Sequence, residues 1–302
     1  MFQYCKLFSL KSFFSRTLQS FGVLWLCVEF GEHFFGNQNW FPENRFFLYV
    51  ALGMVVIGVI RTLPRFTVSK RIAGIDVDVK VKIKNIFSSN EAIIVGCNTT
   101  FDVSVEENII DEKSIQGQFM EQYCDGEREL KEEIRQKLLE LPPSNTRKRE
   151  EKYSGNLEEY VIGTTIVINN KKRKAYFVAI ARLNNYSAVI TDERSFLDAL
   201  PKMWSEIRSK GGMENLGCPI LGSRFARLKL SKQRLLFELI RSFIIVTRSD
   251  GKLAEEITFY ISHDDFKKGH FNMEKIKEFL EHECTEYYIP PKKNGDQQGT
   301  PI

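Results

Sequence analysis

The sequence predicts a two-helix membrane hairpin followed by one α/β domain with a mixed central sheet flanked by helices. Three observations carry this expectation. Two apolar segments, at roughly 18–35 and 46–60, fall within the first 62 residues, and nothing after Thr62 resembles them. From Val77 onward, short alternating or continuously apolar runs interleave with segments of helical periodicity, the pattern of an α/β layer. The stretch from Pro290 is rich in Pro, Gly, Lys and Gln and reads as a disordered tail over 290–302.

The hairpin is expected over 1–62. A spanning helix needs about 20 mostly apolar residues. The segment from Phe46 to Ile60 has no charge, with Trp40 and Phe41 placed for an interfacial belt and Arg61 and Arg65 placed to snorkel. The first segment is less uniform: its apolar centre runs from Phe21 to Val28, and Glu29, Glu32 and His33 follow on one helical face. An interfacial amphipathic helix is the plainer reading of that segment. Ionisable residues within a span are costly and point to function, so Glu29, Glu32 and His33 are candidates for a membrane output. Lys6, Lys11 and Arg16 precede the first segment, and Arg61, Arg65, Lys70 and Arg71 follow the second. The connection between them carries only Arg45, offset by Glu43, so both termini are expected on the cytoplasmic side.

The length of 302 residues allows the hairpin and one large domain, or two small ones. The net charge of +4 belongs partly to the juxtamembrane anchors and does not indicate nucleic-acid binding. Cys5, Cys27, Cys97, Cys124, Cys218 and Cys284 are scattered without a CxxC pair, which argues against zinc and against a disulfide framework.

A basic linker is expected over 63–76. Val77, Val79, Val81 and Ile83 alternate with Asp78, Lys80, Lys82 and Lys84, the pattern of a half-buried strand. Ala92-Ile93-Ile94-Val95 reads as a buried strand, and a polar loop follows from Asn98 to about Lys113. Residues 114–141 read as helix, broken near Asp125-Gly126 and stopped by Pro142-Pro143. Residues 144–156 are charged and loop-like. Strands are expected at 164–168 and 175–181, with Lys171-Lys172-Arg173-Lys174 at a solvated turn between them. Asp192 is placed to cap a helix to Ser209, and a strand runs over 216–221. Ser231 opens a helix to about Arg248 with Phe237, Ile240 and Ile244 on its apolar face. A strand at 256–261 and a helix capped by Asn272, ending near His282, complete the domain.

In such sheets ligands sit at the carboxyl ends of strands. Two loops therefore matter. One comprises Gly96-Cys97-Asn98-Thr99-Thr100-Phe101-Asp102 and continues to Lys113-Ser114-Ile115-Gln116-Gly117-Gln118-Phe119; the other is Leu221-Gly222-Ser223-Arg224-Phe225-Ala226-Arg227. Small residues admit an anion to backbone N–H groups and helix N-termini, and Arg224 and Arg227 add charge-assisted bonds. Two ordinary turns, with Ser231 as a helix cap, are the plainer reading. The histidines offer little chemistry. His263 with Asp264 and Asp265 reads as a strand-end turn, and His282 with Cys284 is too small a set for a metal site.

The motif order from Val79 to Glu281 resembles a macro domain. With the hairpin it resembles the TM–Macro effectors of Thoeris anti-phage defence systems. The residues that carry the likeness are Lys84-Asn85-Ile86-Phe87, Ile93-Ile94-Val95 with Asn98-Thr99-Thr100, Ser114-Ile115-Gln116-Gly117-Gln118-Phe119, the runs Tyr160 to Thr164 and Tyr176 to Ile180, and Pro219-Ile220-Leu221-Gly222-Ser223-Arg224. The resemblance implies a macro-like domain over 77–289 that binds an ADP-ribose derivative, with histidine–ADP-ribose made from NAD by a TIR-domain partner as the expected ligand. Neither a catalytic role nor a cofactor is expected. Binding would drive self-association and disruption of the inner membrane, and the lipid bilayer and further copies of the chain are its expected partners. Carried onto this chain, Asn98, Thr99, Thr100, Asp102, Ser114, Gln116, Gly117, Gln118, Leu221, Gly222, Ser223, Arg224 and Arg227 form the ligand site. Asn98, Ser114 and Gln116 make polar contacts, Gly117, Gly222 and Ser223 admit the diphosphate, and Arg224 or Arg227 balances its charge. The family's glycine triplet is reduced to Gly117, and Asn85 and Ser223-Arg224 replace its acidic and Thr-Gly positions, which argues against hydrolysis and for an altered ligand. The alternatives are a membrane-tethered ADP-ribosyl hydrolase and a protein-binding adaptor.

Overall fold

The computed structural model describes residues 52–53, 66–170, 173–223 and 230–285. The expected hairpin with Glu29, Glu32 and His33, the residues Arg224 and Arg227, and the tail lie outside the described residues, apart from positions 52–53. Among the described residues no helix is long and apolar enough to cross a membrane. The chain divides into two compact units, Met1–Arg65 and Phe66–Ile302. The second unit holds the mixed sheet and its helices.

Its strands are β1 (Thr67–Arg71), β2 (Asp78–Ile83), β3 (Ala92–Asn98), β4 (Asn145–Thr146), β5 (Glu158–Glu159), β6 (Thr165–Asn170), β7 (Arg173–Ala181), β8 (Leu216–Pro219) and β9 (Glu256–Ile261). Seven form one mixed sheet in the order β1-β2-β9-β8-β3-β7-β6, while β4 and β5 pair separately. The five inner strands run parallel and the edges β1 and β6 are antiparallel to their neighbours. Parallel strands covered on both faces read as continuous apolar runs, which is why β3, β7 and β9 are buried along most of their length. β2 alternates instead, because Lys80 and Lys82 face Glu256 and Glu91 on its polar side.

The helices are α1 (Ile115–Tyr123), α2 (Glu127–Leu138), α3 (Glu193–Lys210), α4 (Lys232–Asp250), α5 (His263–Lys267) and α6 (Met273–Thr285). They divide between the two faces of the sheet. Phe119 of α1 and Leu130, Ile134 and Leu138 of α2 bury against Ile93, Val95, Phe177 and Ile166. Trp204 of α3, Leu239 and Phe243 of α4 and Ile276 and Leu280 of α6 bury against Ile94, Val178, Phe259 and Ile257. Asp192 and Ser231 cap α3 and α4 as expected, each accepting from the backbone N–H three residues on. The Asn272 side chain accepts from the N–H groups of Glu274 and Lys275 at the start of α6.

Three expectations are corrected. The linker over 63–76 is in part β1, an edge strand that buries Val68 and turns Ser69 and Arg71 outward; Arg71 pairs with Asp76 and Asp78. Charged side chains protect a sheet edge from further pairing, and that composition mimics a linker. The supposed turn at 263–265 is α5, capped by Ser262, with Asp265 paired to Lys232. The Arg173 guanidinium is buried at the start of β7, not solvated at a tip. It donates to the carbonyls of Glu91 (2.9 Å) and Ile86 (3.3 Å), to the Tyr123 hydroxyl (3.0 Å) and to the Ser89 hydroxyl (3.2 Å), tying three segments together.

Candidate functional site

Chain connectivity selects one place on this sheet. After β3 the chain builds β6 and β7 on one side of that strand, then crosses through α3 to lay β8 on the other side. The segments leaving the carboxyl ends of β3 and β8 therefore diverge, and this is where an open α/β sheet forms a ligand crevice. Both expected loops emerge there. Leu221, just beyond β8, lies over β3: its Cδ2 is 3.3 Å from where a Cβ on Gly96 would stand.

A recess with about 340 Å3 of open space lies at this end of the sheet. Gly96, Cys97 and Asn98 of β3 form one wall and Ile180 and Ala181 of β7 another; Ile109, Ile110, Gln116 and Leu183 complete it. Its lining is mostly apolar with a few placed polar groups, the plan of small-molecule sites. The polar groups are the carboxamides of Asn98 and Gln116. The Asn98 Oδ1 accepts from the N–H of Thr100 (3.1 Å) and of Asp102 (3.1 Å), which leaves its amide hydrogens as donors. The Gln116 Nε2 donates to the Asp102 carbonyl (2.8 Å), which leaves Oε1 as an acceptor. The Cys97 thiol is buried, and that burial pushes its pKa well above the usual range.

The other loop residues are engaged within the protein itself. The Thr99 hydroxyl donates to Glu159 Oε1 (3.0 Å), and Glu159 also holds Arg182 through two bonds of 2.8 and 3.0 Å. The Thr100 hydroxyl donates to Asp102 Oδ2 (2.5 Å). Asp102 accepts from the N–H of Asn156 (2.6 Å) and pairs with Lys152 (2.9 Å), and both charged side chains are at most 4% exposed. Ser114 caps α1 by accepting from the Gly117 N–H (2.9 Å), and Gln118 donates to the Lys113 carbonyl. Gly222 stands at φ 76°, in the left-handed region that a turn residue needs, and the Ser223 N–H donates to the Ile220 carbonyl. Asn98 and Gln116 thus line the recess, Leu221 lies over its β3 wall at Gly96, and Thr99, Thr100, Asp102, Ser114 and Gln118 brace the loops.

Gly117 serves its own loop. A Cβ there would stand 2.5 Å from the Glu112 carbonyl oxygen and 2.8 Å from that of Asp111. These are backbone atoms and cannot swing aside. Gly117→Ala is expected to destabilise the domain by about 1–3 kcal/mol, read as a lowered midpoint in thermal unfolding. An unchanged midpoint would refute the packing role.

Sequence reasoning missed Ile109, Ile110, Ile180 and Leu183, whose apolar character marks only burial. It also missed the segment 147–156, which reads as a charged loop. Arg147 and Lys152 are buried there, with Arg147 donating to the carbonyls of Leu183 (2.6 Å) and Glu151 (2.7 Å). The turn residues Gly155 and Asn156 were the available signal, and nothing local connects them to Asp102. Among the described residues no group of three or more His, Cys, Asp or Glu side chains could hold a metal ion.

The family model described as Thoeris protein ThsA, Macro domain, matches residues 79–262. Thoeris protein ThsA of Bacillus amyloliquefaciens (strain Y2) is 22% identical over 238 residues, covering 76% of each chain. Among solved structures, the Oceanobacillus iheyensis macrodomain with ADP has a TM-score of 0.47 at 11% identity, over 71% of this chain and 97% of the other. The Trypanosoma brucei macrodomain in complex with ADP-ribose has a TM-score of 0.41 at 12% identity, over 64% of this chain and 67% of the other.

Proposed function

From the premise that the chain belongs to the Thoeris protein ThsA macro-domain family, we propose that its α/β domain is the sensor of an anti-phage effector and binds an ADP-ribose derivative. The observation that carries this reading is the recess at the β3/β8 crossover, with Asn98 as donor, Gln116 as acceptor and apolar walls between them. In this reading the ligand is histidine–ADP-ribose supplied by a TIR-domain partner. Asn98 and Gln116 read its ribose hydroxyls, and the Gly222-Ser223 turn with Arg224 or Arg227 receives the diphosphate. The domain binds without turnover. Its output runs through the apolar N-terminal segments at the inner membrane, where ligand-driven self-association brings Glu29, Glu32 and His33 of several copies together.

The test is calorimetry of the detergent-solubilised full chain with histidine–ADP-ribose, ADP-ribose and NAD, followed by dye release from liposomes carrying the protein. The expected result is saturable heat with the first ligand, weakened at least fivefold by Asn98→Ala or Gln116→Ala, and dye release that depends on that ligand. No heat with any of the three would sink the sensor reading. Binding without release would sink the membrane output alone.

A further inference from the structure

On two segments tied to residues of the recess, two aromatic side chains stand in the open. Tyr153 is 60% exposed and Tyr186 is 76% exposed, yet their rings touch edge to face, with centroids 6.0 Å apart at 72°. Two large rings set at nearly a right angle form a corner that presents one face and one edge to anything lying in it. A flat ring can stack on the face and meet the edge.

The corner is held by rigid supports. Tyr186 sits in a tight turn after β7: Leu183 bridges Val189, the Asn184 Oδ1 accepts from the N–H groups of Tyr186 (2.9 Å) and Ala188 (2.9 Å), and Ser187 takes φ 59°. Tyr153 is flanked by anchored neighbours. Lys152 is buried, paired with Asp102 and donating to the Ser154 carbonyl (2.6 Å). Arg147 joins the two supports by donating to Leu183 on one and Glu151 on the other. Both supports also reach the recess, since Leu183 lines it and Asp102 holds Gln116. Ordering two rings in advance removes the entropic cost that a mobile pair would impose on binding.

We propose that Tyr153 and Tyr186 form a stacking subsite for a planar heterocycle of the ligand bound in the recess. The inference rests on the sensor reading and extends it to a second contact surface. A heterocycle could come from either end of such a ligand, as the adenine base or as a ring attached to the terminal ribose. Stacking on exposed tyrosines is charge-tolerant and gains further if the ring is cationic.

The full chain is titrated with ADP, ADP-ribose and histidine–ADP-ribose, as wild type and as Tyr153→Ala, Tyr186→Ala and Tyr186→Phe. Each alanine variant is expected to weaken binding about tenfold, a typical loss for one aromatic stack, with the phenylalanine variant close to wild type. A loss shared by all three ligands identifies adenine as the stacked ring. A loss confined to histidine–ADP-ribose identifies the terminal ring. Thermal midpoints should stay unchanged, because both side chains are exposed. Wild-type binding that neither alanine variant alters overturns the subsite and leaves the sensor reading standing. A wild type that binds none of the three removes the sensor reading, and the subsite falls with it.

Discussion

Asp102→Ala is expected to lower the unfolding free energy by about 3–5 kcal/mol, the usual penalty for removing one partner of a buried ion pair. Asp102 is 2% exposed and serves several groups at once: the Lys152 ammonium, the Asn156 N–H and the Thr100 hydroxyl. Truncation strands a buried ammonium whose other polar partner among the described residues is the Ser154 carbonyl. It also removes the acceptor that holds the segment around Gly155, where the backbone comes so close to Asp102 that a Cβ on the glycine would collide with the carboxylate. Pairing the change with Lys152→Met is expected to recover a large part of the loss, because the methionine needs no counter-ion. Chemical denaturation of the two single variants and the double variant checks this. A single Asp102→Ala variant within about 1 kcal/mol of wild type would rule out the latch, and a double variant no better than Asp102→Ala would assign the loss to the N–H partners rather than the ion pair.

Trp204→Ala is expected to cost about 3–5 kcal/mol on the opposite face of the sheet. Trp204 of α3 is fully buried and meets Phe243 of α4 at 5.3 Å and Phe259 of β9 at 6.5 Å, both edge to face. Its indole N–H donates to the Ser242 hydroxyl (2.9 Å), and that hydroxyl donates onward to the Leu239 carbonyl (3.0 Å). Loss of the indole therefore leaves Ser242 with its own donor still satisfied. The penalty comes from the cavity and the lost aromatic contacts. Trp204→Phe retains part of the packing and should cost less. Urea denaturation distinguishes the two, and equal losses would contradict the cavity argument.

Much of the α/β layer was legible along the chain because its signals are local. The apolar runs of β3, β7 and β9 follow from burial on both faces, and the caps Asp192, Ser231 and Asn272 act on N–H groups two or three residues away. β1 escaped because a charged edge strand has the composition of a linker. The break at Gly126, with φ 97°, was readable from its Asp-Gly dipeptide.

The candidate site divides along the same line. Asn98, Gln116 and the Leu221 loop could be named from sequence because a strand end followed by small polar residues is a local pattern. Their division of labour could not. Thr99 finds Glu159 sixty residues on, and Asp102 finds Asn156 fifty-four residues on. Lys152 and Arg147 lie in a charged, loop-like run, and their distant partners at Asp102 and Leu183 accompany their burial. The sequence alone therefore determined most of the layer pattern, the capped starts of the three longest C-terminal helices and which strand ends carry a polar loop, since each depends on groups within a few residues of one another. The tertiary structure alone decided which of those polar groups face the recess and which are taken up bracing it. That choice rests on hydrogen bonds and ion pairs between residues far apart in the chain, and burial makes each unpaired alternative too costly to persist.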